Sequence, residues 1–92
     1  MNFRKKEDRE EVQDILEKVA NGWELHSGEL AVLFLYTKSL ERRLNNPKRS
    51  FEIDRMMTQV NEEWWLSYVD TTELCVYISD LQSKLIYKKN KA

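Results

Sequence analysis

Seven consecutive apolar residues, Leu30, Ala31, Val32, Leu33, Phe34, Leu35 and Tyr36, stand in a chain of which 34% of the residues are charged. At about 100° per residue the run covers nearly two helical turns, so a helix there carries apolar side chains on every face. Such a segment is either the central element of a fold or a docking surface. A buried strand is the rival reading, because a short apolar run has no decisive period. The pattern continues to Leu40 and Leu44 with Leu and Ala prominent, and that length selects a helix.

The same period organises the rest of the chain. Val12, Ile15, Leu16 and Val19 form one stripe of a first helix over about residues 6–21, with Glu7, Asp8, Glu10 and Glu11 suited to its positive end. Gly22 stands where a left-handed residue closes a helix, and Trp23 and Leu25 are expected to fold back onto the stripe. Ser27 is the predicted N-cap of the second helix, about residues 28–44, with Leu30, Leu33, Phe34, Leu40 and Leu44 inward. Asn45, Asn46 and Pro47 break it.

Ser50 is placed to cap a third helix, about residues 51–68, whose stripe is Ile53, Met56, Met57, Val60 and Trp64. Asp70-Thr71-Thr72-Glu73 has capping-box spacing and opens a fourth, about residues 71–88, with Leu74, Ile78, Leu81 and Leu85 in step. An alternative pairs the flanks of Asp70-Thr71-Thr72 as a hairpin within residues 64–79, giving an α+β fold. The stripe running on to Leu85 favours helix. The expected architecture is all-α, a compact four-helix arrangement in one domain with frayed ends at about residues 1–5 and 89–92.

With 92 residues there is one modest core and little volume for an enclosed active site. Fifteen basic against 16 acidic residues argue neither for a general nucleic-acid binder nor for an acidic DNA mimic, so any electrostatic function rests on local charge clusters. Cys75 is the single cysteine, so no internal disulfide forms and a reducing, cytoplasmic setting is expected. Residues 1–11 are too charged for a signal peptide, and no apolar run approaches the roughly 20 residues that span a bilayer.

Catalytic equipment is missing from the sequence. His26 is the one histidine, and there is neither a Gly-rich phosphate loop nor Cys/His metal spacing, so no catalytic residue, cofactor or metal is expected. His26 reads as a solvated or capping residue, Glu62 and Glu63 as solvated, and Cys75 as a small buried hydrophobe.

Two groups of residues read as partner-binding. Trp64 and Trp65 are adjacent, and neighbouring helical residues cannot both enter one core, so one indole is expected at a rim, where aromatic anchors dominate binding energy. Tyr36, at the end of the apolar run, joins them. The second group is basic: Lys38, Arg42, Arg43, Lys48, Arg49 and Arg55. Residues 31–55 carry six basic against three acidic side chains, and residues 1–30 carry five against eight. Lys38 and Arg42 complement a helix C-terminus, whereas Lys48 and Arg49 precede an N-terminus and have no such structural role. The tail lysines Lys88, Lys89 and Lys91 suit the end of the fourth helix.

One stretch resembles a known family. Asn21-Gly22-Trp23-Glu24-Leu25 followed by Glu29-Leu30-Ala31-Val32 is similar to the aromatic-Glu-Leu…Glu-Leu-Ala-Val segment of the Hha/YmoA haemolysin-expression modulators, over about residues 21–44. The resemblance implies a small all-helical protein. In that family the partner is the dimerisation region of the nucleoid protein H-NS, and binding modulates gene silencing. Where the family continues Ala-Ala-Asp-His-Arg, this chain has Tyr36-Thr37-Lys38-Ser39-Leu40, which reverses the charge at the Asp position.

The expected function is therefore that of a small non-enzymatic regulator or inhibitor of the phage, plasmid or immunity type. It would bind a surface of another macromolecule, a protein in the first instance and a nucleoid or transcription factor among the candidates. A nucleic-acid-binding module using the basic cluster of residues 38–55 is the alternative, and a homodimer through the apolar helix is a further partner class.

Overall fold

The computed structural model describes residues 2–45 and 51–90, with the side chains of 51 and 88–90 left aside. Four helices follow in order: α1 (Lys6–Ala20), α2 (Ser27–Leu44), α3 (Phe51–Glu63) and α4 (Tyr68–Asn90). The fold is all-α. No strand occurs among the described residues, so the hairpin alternative at residues 64–79 is set aside.

The apolar run is the hub. Leu30, Leu33 and Phe34 are buried, and α2 packs against each of the other helices. The inward stripe of α4, Leu74, Ile78 and Leu81, has no exposed surface at all, and Val12, Ile15, Ile53, Met56 and Val60 close the core from α1 and α3. Leu44 and Leu85 are half-buried at its margin. Only Ala31 and Leu35 of the run face outward, and Leu35 is 51% exposed.

Buried polar groups are satisfied locally. Thr37 donates to the Leu33 carbonyl at 2.7 Å, and Tyr77 donates to Glu41 at 2.7 Å, tying α4 to α2. The Tyr77 hydroxyl is pushed well above its usual value by burial and by the adjacent Glu41 carboxylate. At the N-terminus Asn2 donates its backbone N–H to Asp8 at 2.9 Å, and the Phe3 ring meets Tyr36 edge-on with centroids 5.2 Å apart. Within the segment expected to fray, Phe3 packs against α2 and Asn2 bonds to α1.

The first helix junction follows the sequence with one correction. Gly22 has φ +83°, as its left-handed position requires. The cap of α2 is His26 rather than Ser27. Its Nδ1 accepts from the Glu29 N–H at 3.3 Å while the Glu29 carboxylate accepts from the His26 N–H at 3.2 Å, a reciprocal capping box. The ring lies so close over Gly28 that an added Cβ would stand 3.1 Å from its Cε1, which explains a glycine in the first turn of the helix. Lys18 reaches Glu29 at 2.6 Å from α1. Burial alone would raise the Glu29 carboxyl, but the hydrogen bonds from the Lys18 ammonium and the His26 backbone N–H, with the charge of Lys18, outweigh it and hold the group below its ordinary value.

The second described junction departs further. α3 ends at Glu63, not near residue 68, because Trp64 adopts φ +60° after donating its N–H to the Val60 carbonyl at 2.8 Å. Leu66, 6% exposed, enters the core in the place expected of Trp64. α4 then opens three residues early. Ser67 Oγ accepts from the Asp70 N–H at 3.1 Å, so Ser67 is the cap and Asp70 lies inside the first turn. The predicted caps of α3 at Ser50 and breakers Asn46 and Pro47 lie outside the described residues, whereas Asn45 ends α2 in the left-handed conformation at φ +51°.

Candidate functional site

Both junctions sit at one end of the bundle. Tyr68, the first residue of α4, donates its hydroxyl to the Val19 carbonyl at 2.9 Å, and the Gly22 N–H shares that acceptor at 3.0 Å. One of the unpaired carbonyls at the end of α1 is thus satisfied by a side chain 49 residues away. The bond brings the turn after α1 and the turn after α3 together.

All three tryptophans occupy these two turns, and all are exposed: Trp23 66%, Trp64 75% and Trp65 53%. Trp23 therefore does not fold back onto α1 as expected; Leu25 does, half-buried against the core. Trp64 and Trp65 are both outward, not one inward and one at a rim, because neither is helical. Tyr68 and Val69, exposed to 46% and 68%, extend the aromatic surface onto α4.

Trp64 is held there against the backbone's preference. A left-handed conformation costs a residue with a Cβ about 1–2 kcal/mol, and glycine or asparagine ordinarily fills the position. At the equivalent closing position of α1 this chain does use glycine.

Tyr36 has a structural task. Its ring is half-buried against Phe3, and its hydroxyl accepts from Gln82 Nε2 of α4 at 2.8 Å. It does not join the tryptophans.

The basic cluster divides. Lys38 lies 3.6 Å from Asp54 and 3.8 Å from Glu41, bridging α2 to α3. Arg55 lies 3.0 Å from Glu52 and 3.3 Å from Asp70, bridging α3 to α4, and these carboxylates raise its already high pKa. Lys48 and Arg49 lie outside the described residues, as does Lys91, and the side chains of Lys88 and Lys89 are not described. Arg42 and Arg43 remain as exposed cations. They meet Arg4, which the sequence reading did not single out, around a cavity of about 370 Å³ that Phe3, Leu35 and Ser39 also line. None of the three guanidinium groups has a carboxylate partner among the described residues.

Among the described residues, the groups with reactive side chains are not brought together. His26 is committed to its cap, and burial pushes the Cys75 thiol up to about 11, away from reactive thiolate chemistry. Glu62 and Glu63 are exposed. Among the described residues no group of three or more His, Cys, Asp or Glu side chains is placed to hold a metal ion, and no helix is long and apolar enough to cross a membrane.

Comparison with known proteins returns no match: no family model, no curated protein and no solved structure is similar to this chain.

Proposed function

We propose that this protein is a non-enzymatic regulator or inhibitor that acts by binding another protein through the tryptophan-bearing end of its bundle. The observation that carries the reading is Trp64. A large indole, 75% exposed, occupies a left-handed position that glycine would fill at lower cost, and strain of this kind collects where a side chain has work to do outside the fold. Trp65, Trp23 and Tyr68, in the same two turns at that end of the bundle, are exposed and are of the residue types that anchor protein interfaces.

The test is capture of a partner from a relevant host lysate on the immobilised protein, compared with Trp64→Ala and Trp65→Ala. Loss of a retained protein in both variants, with the helical fold intact, is the expected result. The reading fails if nothing is retained, or if the substitutions change stability alone.

Arg4, Arg42 and Arg43 favour a second reading, a nucleic-acid-binding module that contacts phosphates through the cavity they line. It predicts affinity that falls steeply with salt and is lost in Arg42→Glu; binding that is undetectable or independent of salt excludes it. The resemblance to the Hha/YmoA modulators fits the first reading in class. The partner would differ, since Lys38 stands at that family's acidic position and is engaged by Glu41 and Asp54.

A further inference from the structure

Besides its core stripe, α4 carries a second, exposed face. On a helix advancing about 100° per residue, its core stripe and its charged residues Glu73, Asp80 and Lys84 occupy two arcs. A third arc, again about 100° wide, holds eight side chains between Tyr68 and Tyr87. All eight are exposed and none is charged, in a chain with 34% charged residues. Exposed helix faces are ordinarily where charge collects. The uncharged surface widens onto α1, where Gln13, Leu16 and Ala20 line the adjoining groove.

In three of its four symmetric pairs this face reads alike in both directions along the helix. About a point midway between Val76 and Ser79, Tyr68 is matched by Tyr87, Val69 by Ile86, Thr72 by Ser83 and Val76 by Ser79. Large side chains, Tyr68, Val69, Ile86 and Tyr87, stand at both ends, with Thr72, Val76, Ser79 and Ser83 between them. Two such helices laid antiparallel fit end to middle to end, with bulky pairs sealing the tips and small residues letting the backbones approach at the crossing. The contact would run about 28 Å along each helix.

The rim agrees in charge. A two-fold axis through the midpoint brings the same edge of each helix together, as in any antiparallel isologous pair. That sets Glu73 of one copy beside Lys84 of the other, twice. Within one copy Lys84 lies 3.0 Å from Asp80, and Glu73 has no ion-pair partner among the described residues.

We infer that the uncharged face of α4 is a self-complementary interface whose occupant is a second copy of this chain, packed antiparallel about an axis between Val76 and Ser79. The interface shares Tyr68 and Val69 with the tryptophan end but includes none of the three tryptophans, and it does not depend on the function proposed for them.

Light scattering behind a sizing column, run on the full chain over a concentration series, tests this. The wild type is expected at two chain masses, and Val76→Asp at one, with its helical circular dichroism unchanged because Val76 is 64% exposed. Glu73→Lys and Lys84→Glu each turn two attractions into two repulsions and should weaken the dimer about tenfold, while the double variant should regain most of it. A wild type that stays at one chain mass up to roughly millimolar concentration, at the weak end of specific association, overturns the inference. So does a dimer that survives Val76→Asp, or a double variant no better than its parents. A monomer whose capture of a different protein is abolished by Val76→Asp would assign the face to that protein and exclude the second copy.

Discussion

Two turns in this protein do the same mechanical job with opposite chemistry. After α1, the left-handed residue is Gly22, the following helix is capped by a reciprocal His26–Glu29 pair, and Lys18 ties the carboxylate back to α1. After α3, the left-handed residue is Trp64, and two exposed indoles stand where a turn ordinarily keeps small or polar groups. The first turn is built for stability. The second gives up stability to hold large apolar side chains in water, and the contrast within one chain makes the second turn the place to look for binding.

The largest effect expected from breaking the contrast is on binding. If the tryptophan end is the interface, Trp64→Ala or Trp65→Ala should each cost about 2 kcal/mol or more of partner affinity, roughly a thirtyfold rise in Kd by titration calorimetry. Glu29→Ala attacks the other turn. It removes the capping carboxylate and leaves Lys18 without its partner, and chemical denaturation should show a loss of about 1–3 kcal/mol.

Exchanging the two solutions sharpens the comparison. Trp64→Gly should raise stability by about 1 kcal/mol through relief of the left-handed strain, even as it abolishes binding. Gly22→Ala, at φ +83°, should lower stability by about the same amount. A Trp64→Gly variant that is less stable than the wild type would show that the indole supports the fold and would remove the main argument for a binding role.

The smallest effect concerns pH. The Glu29 carboxyl titrates below its ordinary value of 4.5 in the folded protein, so its stabilising contribution is complete above that value. The contribution is lost as pH falls through the lower, folded value. Stability of the wild type measured from pH 6 down to pH 3 should therefore decline more steeply than that of Glu29→Gln.

Most of the fold was legible in the spacing of apolar residues, because helical burial has a period that local sequence must obey. The stripes of α1, α2 and α4 are buried where periodicity puts them, and Gly22 is left-handed as expected. The failures fall where two local signals compete. Asp70-Thr71-Thr72-Glu73 and Ser67-Tyr68-Val69-Asp70 offer the same capping spacing three residues apart. The earlier one is used because Leu66 fills the core and Tyr68 reaches the Val19 carbonyl. His26 displaced Ser27 as the cap for a similar reason: the adjacent Glu29 is buried beside Lys18, which fixes the turn.

The candidate site was less legible. Trp64 and Trp65 were visible as a pair, but Trp23, Tyr68 and Arg4 entered only with the structure. Arg4 lies 38 residues from Arg42, with which it lines one cavity, and the turn of Trp23 is brought to that of Trp64 by a bond between Tyr68 and Val19, 49 residues apart. No local pattern encodes such neighbours. The basic cluster shows the converse, since residues close in sequence were parted: Lys38 and Arg55 went into inter-helix bridges while Arg42 and Arg43 stayed free of them.

The sequence by itself determined that this chain is a helical bundle organised on residues 30–36, because the apolar pattern carried on to Leu44 and the shortage of breakers favour a helix over a buried strand for that run. Which helix ends are strained, which charges are spent inside the fold and which side chains meet at one end were decided by tertiary structure. Those outcomes depend on which residue reaches an unpaired carbonyl or an empty core position first. That competition is settled by distances between helices, which the order of residues along the chain does not contain.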